Sequence, residues 1–180
     1  MKKLQKLSLA KLAQEHVVLS TKEQMQIYAG SGIDGLCYFD GLEILSSLTG
    51  CNYSESYYIN AYANVYGAST IVPSVYYDSQ GNMRANLPGV PVASALSFMQ
   101  TQFTGHNVSA ADYQSSLAQG GYIMTEIKQW DGTTHAVVIT EYHPSQIDCF
   151  TYIDANGTHT GSAADFGTSL SYDVTSGISH

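Results

Sequence analysis

The sequence predicts an α+β fold, with a helical N-terminal lobe and an antiparallel β-sheet C-terminal lobe. Apolar residues recur at helical spacing through much of the stretch from residue 38 to residue 118. From Tyr122 onward the period changes, and Ile123, Thr125 and Ile127 alternate with Met124, Glu126 and Lys128. Helices first and an antiparallel sheet afterwards is the segregated arrangement of an α+β domain.

The first 30 residues read differently from the body. Lys3, Lys6 and Lys11 interrupt every apolar run, so no continuous hydrophobic region of a secretory signal peptide forms. The second half of the segment, Leu19-Ser-Thr-Lys-Glu23-Gln-Met25-Gln-Ile27-Tyr-Ala29-Gly30, resembles a double-glycine leader of the form Leu-Ser-x-x-Glu-x-x-x-Ile-x-Gly-Gly. Ala29-Gly30 stands where the pair of small residues belongs. Small residues there let an extended backbone thread a narrow protease cleft, while Leu19 and Ile27 offer apolar anchors. The alternative is an ordinary amphipathic first helix of the domain. The resemblance implies a bacterial precursor held in the cytoplasm and cut after Gly30 by a peptidase-containing ABC exporter. The body, residues 31–180, is then secreted or periplasmic.

In that body, Tyr38 to Leu48 forms a short helical pattern closed by Gly50. Ser54 followed by Glu55 caps a second helix to about Val65, with Tyr58, Ile59, Tyr62 and Ala63 on its apolar face and Gly67 after it. Thr70 to Leu87 mixes β-branched residues, Tyr76-Tyr77 and the turn Asp78-Ser-Gln-Gly81-Asn, which suggests a short hairpin or an irregular excursion. Pro91 suits the start of a helix from Val92 to Phe103, and Ser109 begins another, Ala110 to Ala118, closed by Gly120-Gly121. Asp131-Gly132 turns the Tyr122 strand into a strand headed by His135, with the apolar run Ala136 to Ile139. A loop around His143 to Asp148 leads to Cys149-Phe150-Thr151-Tyr152-Ile153, closed by Asp154 before the turn signal Asn156-Gly157. The segment Ala163 to Val174 adds a turn and an edge strand.

The strand pair brings chemistry with it. His135 and Asp154 fall at the same end of neighbouring strands, where a carboxylate can hold an imidazole in one tautomer and stabilise its charged form. Cys37 precedes a helix, whose N-terminal dipole favours a thiolate. Asn156 is the competing third member.

Cys37 before a helix, His135-Ala-Val-Val-Ile and Tyr152-Ile-Asp154-Ala-Asn-Gly157, in that order, resemble the papain-like cysteine peptidases, above all the short bacterial branch with the peptidase domains of bacteriocin exporters. The resemblance implies a papain-like fold over roughly residues 33 to 175, with Cys37 as nucleophile, His135 as general base and acid, and Asp154 as the orienting group. It also implies a peptide or protein substrate and no cofactor. In one respect the chain departs from the family. Papain-like enzymes usually place an oxyanion-donating Gln about six residues before the Cys, and here that position is Ser31; Gln24, Gln26 or a residue from elsewhere would have to stand in.

Composition narrows the classes. The chain has 180 residues, 44% of them hydrophobic, and a net charge of -8. Residues 1–30 carry five Lys and two Glu, and the body holds only Lys128 and Arg84 against thirteen acids. An acidic body argues against nucleic-acid binding. No run of 18 apolar residues exists to span a membrane. His16, His106, His143, His159 and His180 sit at no spacing diagnostic of zinc, so no metal site is expected. Cys51 and Cys149 are expected as small buried apolar residues, with a disulfide between them as the alternative. Trp130 shelters the site or simply packs, and the tyrosines from Tyr53 to Tyr66 line a cleft or a half-buried helix face.

Three functions fit these residues: a peptidase, an acyltransferase of transglutaminase type using the same thioester, and a catalytically impaired secreted effector or binding protein on a papain-like scaffold.

Overall fold

Between residues 37 and 118, helices form where apolar residues recur on one stripe. The computed structural model describes residues 36–68, 74–77, 83–86, 90–128 and 134–180. The leader-like segment with Ala29 and Gly30, the Ser31 position, the Asp78 to Asn82 turn, and Trp130 with Asp131-Gly132 lie outside the described residues. All that is described belongs to one compact unit.

Helix α1 spans Cys37–Leu48 and buries Tyr38, Phe39, Leu42 and Leu45 on one stripe. Each such side chain contributes about 1.5–3 kcal/mol of apolar burial. Helix α2, Glu55–Tyr66, starts at Ser54, whose hydroxyl accepts the Tyr57 N–H, and ends before Gly67. Helix α3, Val92–Gln102, begins directly after Pro91. A 3-10 turn, Ala110–Asp112, carries a capping box between Ser109 and Asp112 and runs into helix α4, Tyr113–Ala118. Rings tie the first three helices together. Tyr62 meets Phe39 and Phe98 edge-on at 5.5 and 5.3 Å between centroids, and the Tyr38 hydroxyl donates to the Ala95 carbonyl at 2.8 Å. No helix among the described residues is long and apolar enough to cross a membrane.

Strands β1, Ser74–Tyr77, and β2, Met83–Asn86, pair antiparallel, so the excursion after α2 is a hairpin. The remaining strands are β3 Phe103–Asn107, β4 Tyr122–Lys128, β5 Thr134–Tyr142, β6 Phe150–Asp154, β7 Gly157–Gly161 and β8 Phe166–Gly177. They form one six-stranded sheet in the order β3-β8-β4-β5-β6-β7, antiparallel throughout. The domain is therefore α+β, as the change of period predicts.

The expected edge strand at the end of the chain is a correction. β8 lies between β3 and β4, and the edges are β3 and β7. Ser171 and Asp173 alternate with Tyr172 and Val174 as if one face met water, yet all four are buried. The polar face is covered instead by α4: the buried Tyr113 hydroxyl bonds Ser171 Oγ at 2.6 Å and Thr125 Oγ1 at 2.9 Å. Around Tyr113 pack Ile123, Val137, Ile139, Phe150 and Phe166.

The opposite face of the sheet receives α1. A Cβ placed on Gly41 would fall 2.6 Å from Met124 Cε and 3.8 Å from Val138 Cγ2, so glycine lets the helix lie close to β4 and β5 without displacing the end of Met124. Replacing Gly41 with Val forces Met124, itself fully buried, to move. Gly41→Val is expected to lower the unfolding free energy by about 1–3 kcal/mol, the usual cost of overpacking. A urea midpoint equal to that of the wild type would contradict this packing.

Candidate active site

The geometry starts from a mismatch in strand length. β5 begins at Thr134, and on one side β4 stays with it to the end, with Lys128 opposite Thr134. On the other side the last β6 pairs are Ile139↔Tyr152 and Val138↔Ile153, and β6 stops at Asp154. Ala136 therefore has no β6 residue opposite it. Its N–H donates instead to Cys37 Sγ at 3.4 Å. The sulfur sits on the first residue of α1, which packs against β5 and β6, and the side chain is partly buried.

Parity brings the other two groups together. Ile139 faces Tyr152 directly, so odd residues of β5 and even residues of β6 share a face. His135 and Asp154 both lie on it, and continuing the register by one step sets Asp154 beside Val137, diagonal to His135. Their side chains close that diagonal: His135 Nε2 is 3.0 Å from Asp154 Oδ2. A one-residue slip of register would send the two groups to opposite faces. The imidazole and carboxylate are 14% and 9% exposed, so the pair is largely shielded from water.

The other carboxylate oxygen is also engaged. Asp154 Oδ1 accepts the Asn156 N–H at 2.8 Å and lies 3.1 Å from His159 Nε2. Burial pushes the Asp154 carboxyl up, but the Asn156 N–H and the hydrogen bonds from His135 and His159 outweigh it and hold it below the usual carboxylate value. With Asp154 anionic, His135 must carry hydrogen on Nε2, which leaves Nδ1 as the nitrogen able to serve another group.

The structure thus sets Cys37 beside the start of β5 and bonds Asp154 to His135. Asn156 contributes through its backbone N–H, and its side chain is exposed. All three cysteines are described and none is in a disulfide; Cys51 and Cys149 are partly buried. The sequence weighs His159 only as a metal ligand, not as a partner of Asp154. Counting outward from the Ala155-Asn156 turn, with Asp154 opposite Gly157, gives Tyr152 opposite His159, so the signal existed once Gly157 to Gly161 is read as a strand.

Among the described residues, Asp40, Glu43 and Glu55 bring ligand-capable oxygens within 4.8 Å of one another at the α1–α2 junction. Glu43 Oε2 there accepts the Glu55 N–H at 3.1 Å, which makes it a cap for α2.

Compared with models of known families, with curated proteins and with solved structures, the chain finds no match in any of the three.

Because the Asp154 carboxyl titrates lower when folded than unfolded, it stabilises the fold above the unfolded value, about 3.9, and loses that contribution as pH falls through the folded one. Asp154→Asn is expected to be less stable than wild type at pH 5, with the gap closing below about pH 4. Urea titrations at several pH values check this; a gap that stays constant down to pH 2 contradicts the assignment.

Proposed function

We propose that the chain is a papain-like thiol peptidase with Cys37 as nucleophile, His135 as general base and acid, and Asp154 as the orienting group. The observation that carries this reading is the placement of Cys37 Sγ against the Ala136 N–H, one residue from an imidazole whose Nε2 is held by Asp154.

Asp154 fixes the His135 tautomer, so Nδ1 takes the thiol proton and a thiolate–imidazolium pair forms. The α1 dipole and the Ala136 N–H favour negative charge on sulfur. The thiolate attacks the scissile carbonyl carbon, and the carbonyl electron pair moves to oxygen. On this reading Cys37's own N–H, first in α1, donates to that oxyanion. As the C–N bond breaks, His135 gives its proton to the departing amine and a thioester remains. Neutral His135 then takes a proton from water, hydroxide adds to the thioester, and the acid product leaves as the thiol is restored.

On the same reading the first 30 residues are a double-glycine leader removed after Gly30 by a peptidase-containing ABC exporter. The mature body, residues 31–180, then acts on peptide or protein outside the cytoplasm. Ser31 in place of the usual Gln favours one second reading, a scaffold that keeps a reactive thiol but turns over slowly and serves as a binding protein.

Under native conditions at pH 7, iodoacetamide is expected to alkylate Cys37 about tenfold or more faster than Cys51 or Cys149, since Cys37 stands at a helix N-terminus and, on this reading, gives its proton to His135. Peptide cleavage is expected to vanish in Cys37→Ala. Equal labelling of the three thiols would remove the peptidase reading; a reactive Cys37 with no cleavage of any peptide pool would favour the binding protein.

A further inference from the structure

The carboxylate of Asp154 serves two imidazoles. His135 approaches Oδ2 from β5, and His159 approaches Oδ1 from β7, at 3.0 and 3.1 Å. These strands flank β6 on either side, so the carboxylate is gripped across the sheet from both neighbours.

His159 is not there to fill the core. Its side chain is 40% exposed, and β7 is an edge strand of glycine and threonine otherwise. Yet its ring is fixed. It stacks on Tyr152, directly opposite in the register, with centroids 5.2 Å apart and planes at 28°. That stacking directs Nε2 at Oδ1. Among the described residues, the titratable groups around the carboxylate are His135 from β5, His159 from β7 and Tyr152 on β6 itself, with Cys37 on α1 at the Ala136 N–H. Asp165, in the turn before β8, acts on the Tyr152 hydroxyl, which burial and the two carboxylates push up.

A carboxylate held at one oxygen can swing about its own axis and exchange which oxygen faces a partner. Asn156 holds Oδ1 by a turn N–H two residues along the chain. The donor from β7 gives Oδ1 a second hold that does not depend on the turn backbone.

We propose that His159 is a positioning residue for the Cys37–His135–Asp154 unit: as an Nε2–H donor to Oδ1 it pins the Asp154 carboxylate so that Oδ2 meets His135, which fixes hydrogen on His135 Nε2 and turns Nδ1 to the thiol. The inference rests on the peptidase reading for its catalytic meaning, while the grip on Asp154 stands on its own geometry. An outer partner of this kind typically changes the rate of the group it orients by about 10- to 100-fold.

The test uses the whole chain labelled with ¹⁵N, in wild type, His159→Phe and His159→Gln. Phenylalanine keeps a ring to stack on Tyr152 and removes the donor; glutamine supplies an amide N–H in its place. In wild type at neutral pH, the ring nitrogens of both His135 and His159 are expected to report the Nε2–H tautomer. His159→Phe is expected to mix the His135 tautomers and to slow iodoacetamide at Cys37 about tenfold, and His159→Gln to restore both. A purely structural His159 would not be replaced by glutamine in this way.

A wild-type His159 carrying its hydrogen on Nδ1 overturns the proposal even if the Phe variant fails to fold. So do His135 ring nitrogens unchanged by His159→Phe, or a loss that glutamine does not repair. The two failures are separable: an unreactive wild-type Cys37 ends the peptidase reading, and the ring nitrogens still decide the role of His159.

Discussion

The candidate site depends on β6 ending before β5 begins. Had β6 run on, the Ala136 N–H would have met a strand carbonyl, and the edge of β5 would have been closed to any other element. Because β6 stops at Asp154, an N–H near the head of β5 is left facing α1, and the Cys37 sulfur receives it at 3.4 Å. A buried N–H without a partner costs about 1–3 kcal/mol, so the arrangement supplies its own reason for α1 to come near. Gly41 supplies the means, since any larger residue one turn along would collide with Met124. The mismatch in strand length and the missing Cβ act on the same helix, and together they fix where the thiol stands.

The electrostatics follow from the same point in the fold. A carboxylate this shielded pays a desolvation penalty, and left alone it would take up a proton. Three hydrogen-bonding contacts, from the Asn156 N–H, His135 and His159, reverse that tendency. The turn after β6 is part of the arrangement. Gly157 adopts φ +132°, a conformation ordinary side chains resist, and this lets the chain reverse at once so that β7 returns alongside Asp154. A longer connection would have moved both Asn156 and His159 away from the carboxylate.

Much of this was legible in the sequence, and the reason is local. Ser54 before Glu55, Pro91 before Val92 and the glycines at 50, 67 and 120 mark helix ends through backbone chemistry that neighbours hardly alter. His135 and Asp154 could be placed because one opens an apolar run and the other closes the next, and strand parity then does the rest. What failed was long-range. β3, with sequence Phe-Thr-Gly-His-Asn, has no alternation of its own and becomes a strand because β8 offers it a ladder. β8 is central rather than an edge, and its alternating Ser171 and Asp173 are buried, with a tyrosine from α4 covering Ser171. His159 was set aside for lacking metal spacing, although its partner is a carboxylate whose position only the turn geometry reveals.

On the proposed reading the sulfur of Cys37 meets two kinds of stabilising influence, and the difference bears on how such a site works. The helix dipole and the Ala136 N–H are permanent features of the fold, present at every pH at which the fold persists. The imidazolium of His135 is conditional, since it exists only while that ring holds a second proton. A thiol activated by the imidazolium alone would gain and lose its charge together with the ring, as a coupled pair. Fixed dipoles shift the balance toward the thiolate without supplying a proton to the leaving group. In the proposed chemistry the division of labour follows: backbone geometry lowers the cost of the nucleophile, and the imidazole, oriented through Asp154, is left to move protons. The two parts meet at the head of β5, which α1 approaches for the first and from which β6 and β7 extend for the second.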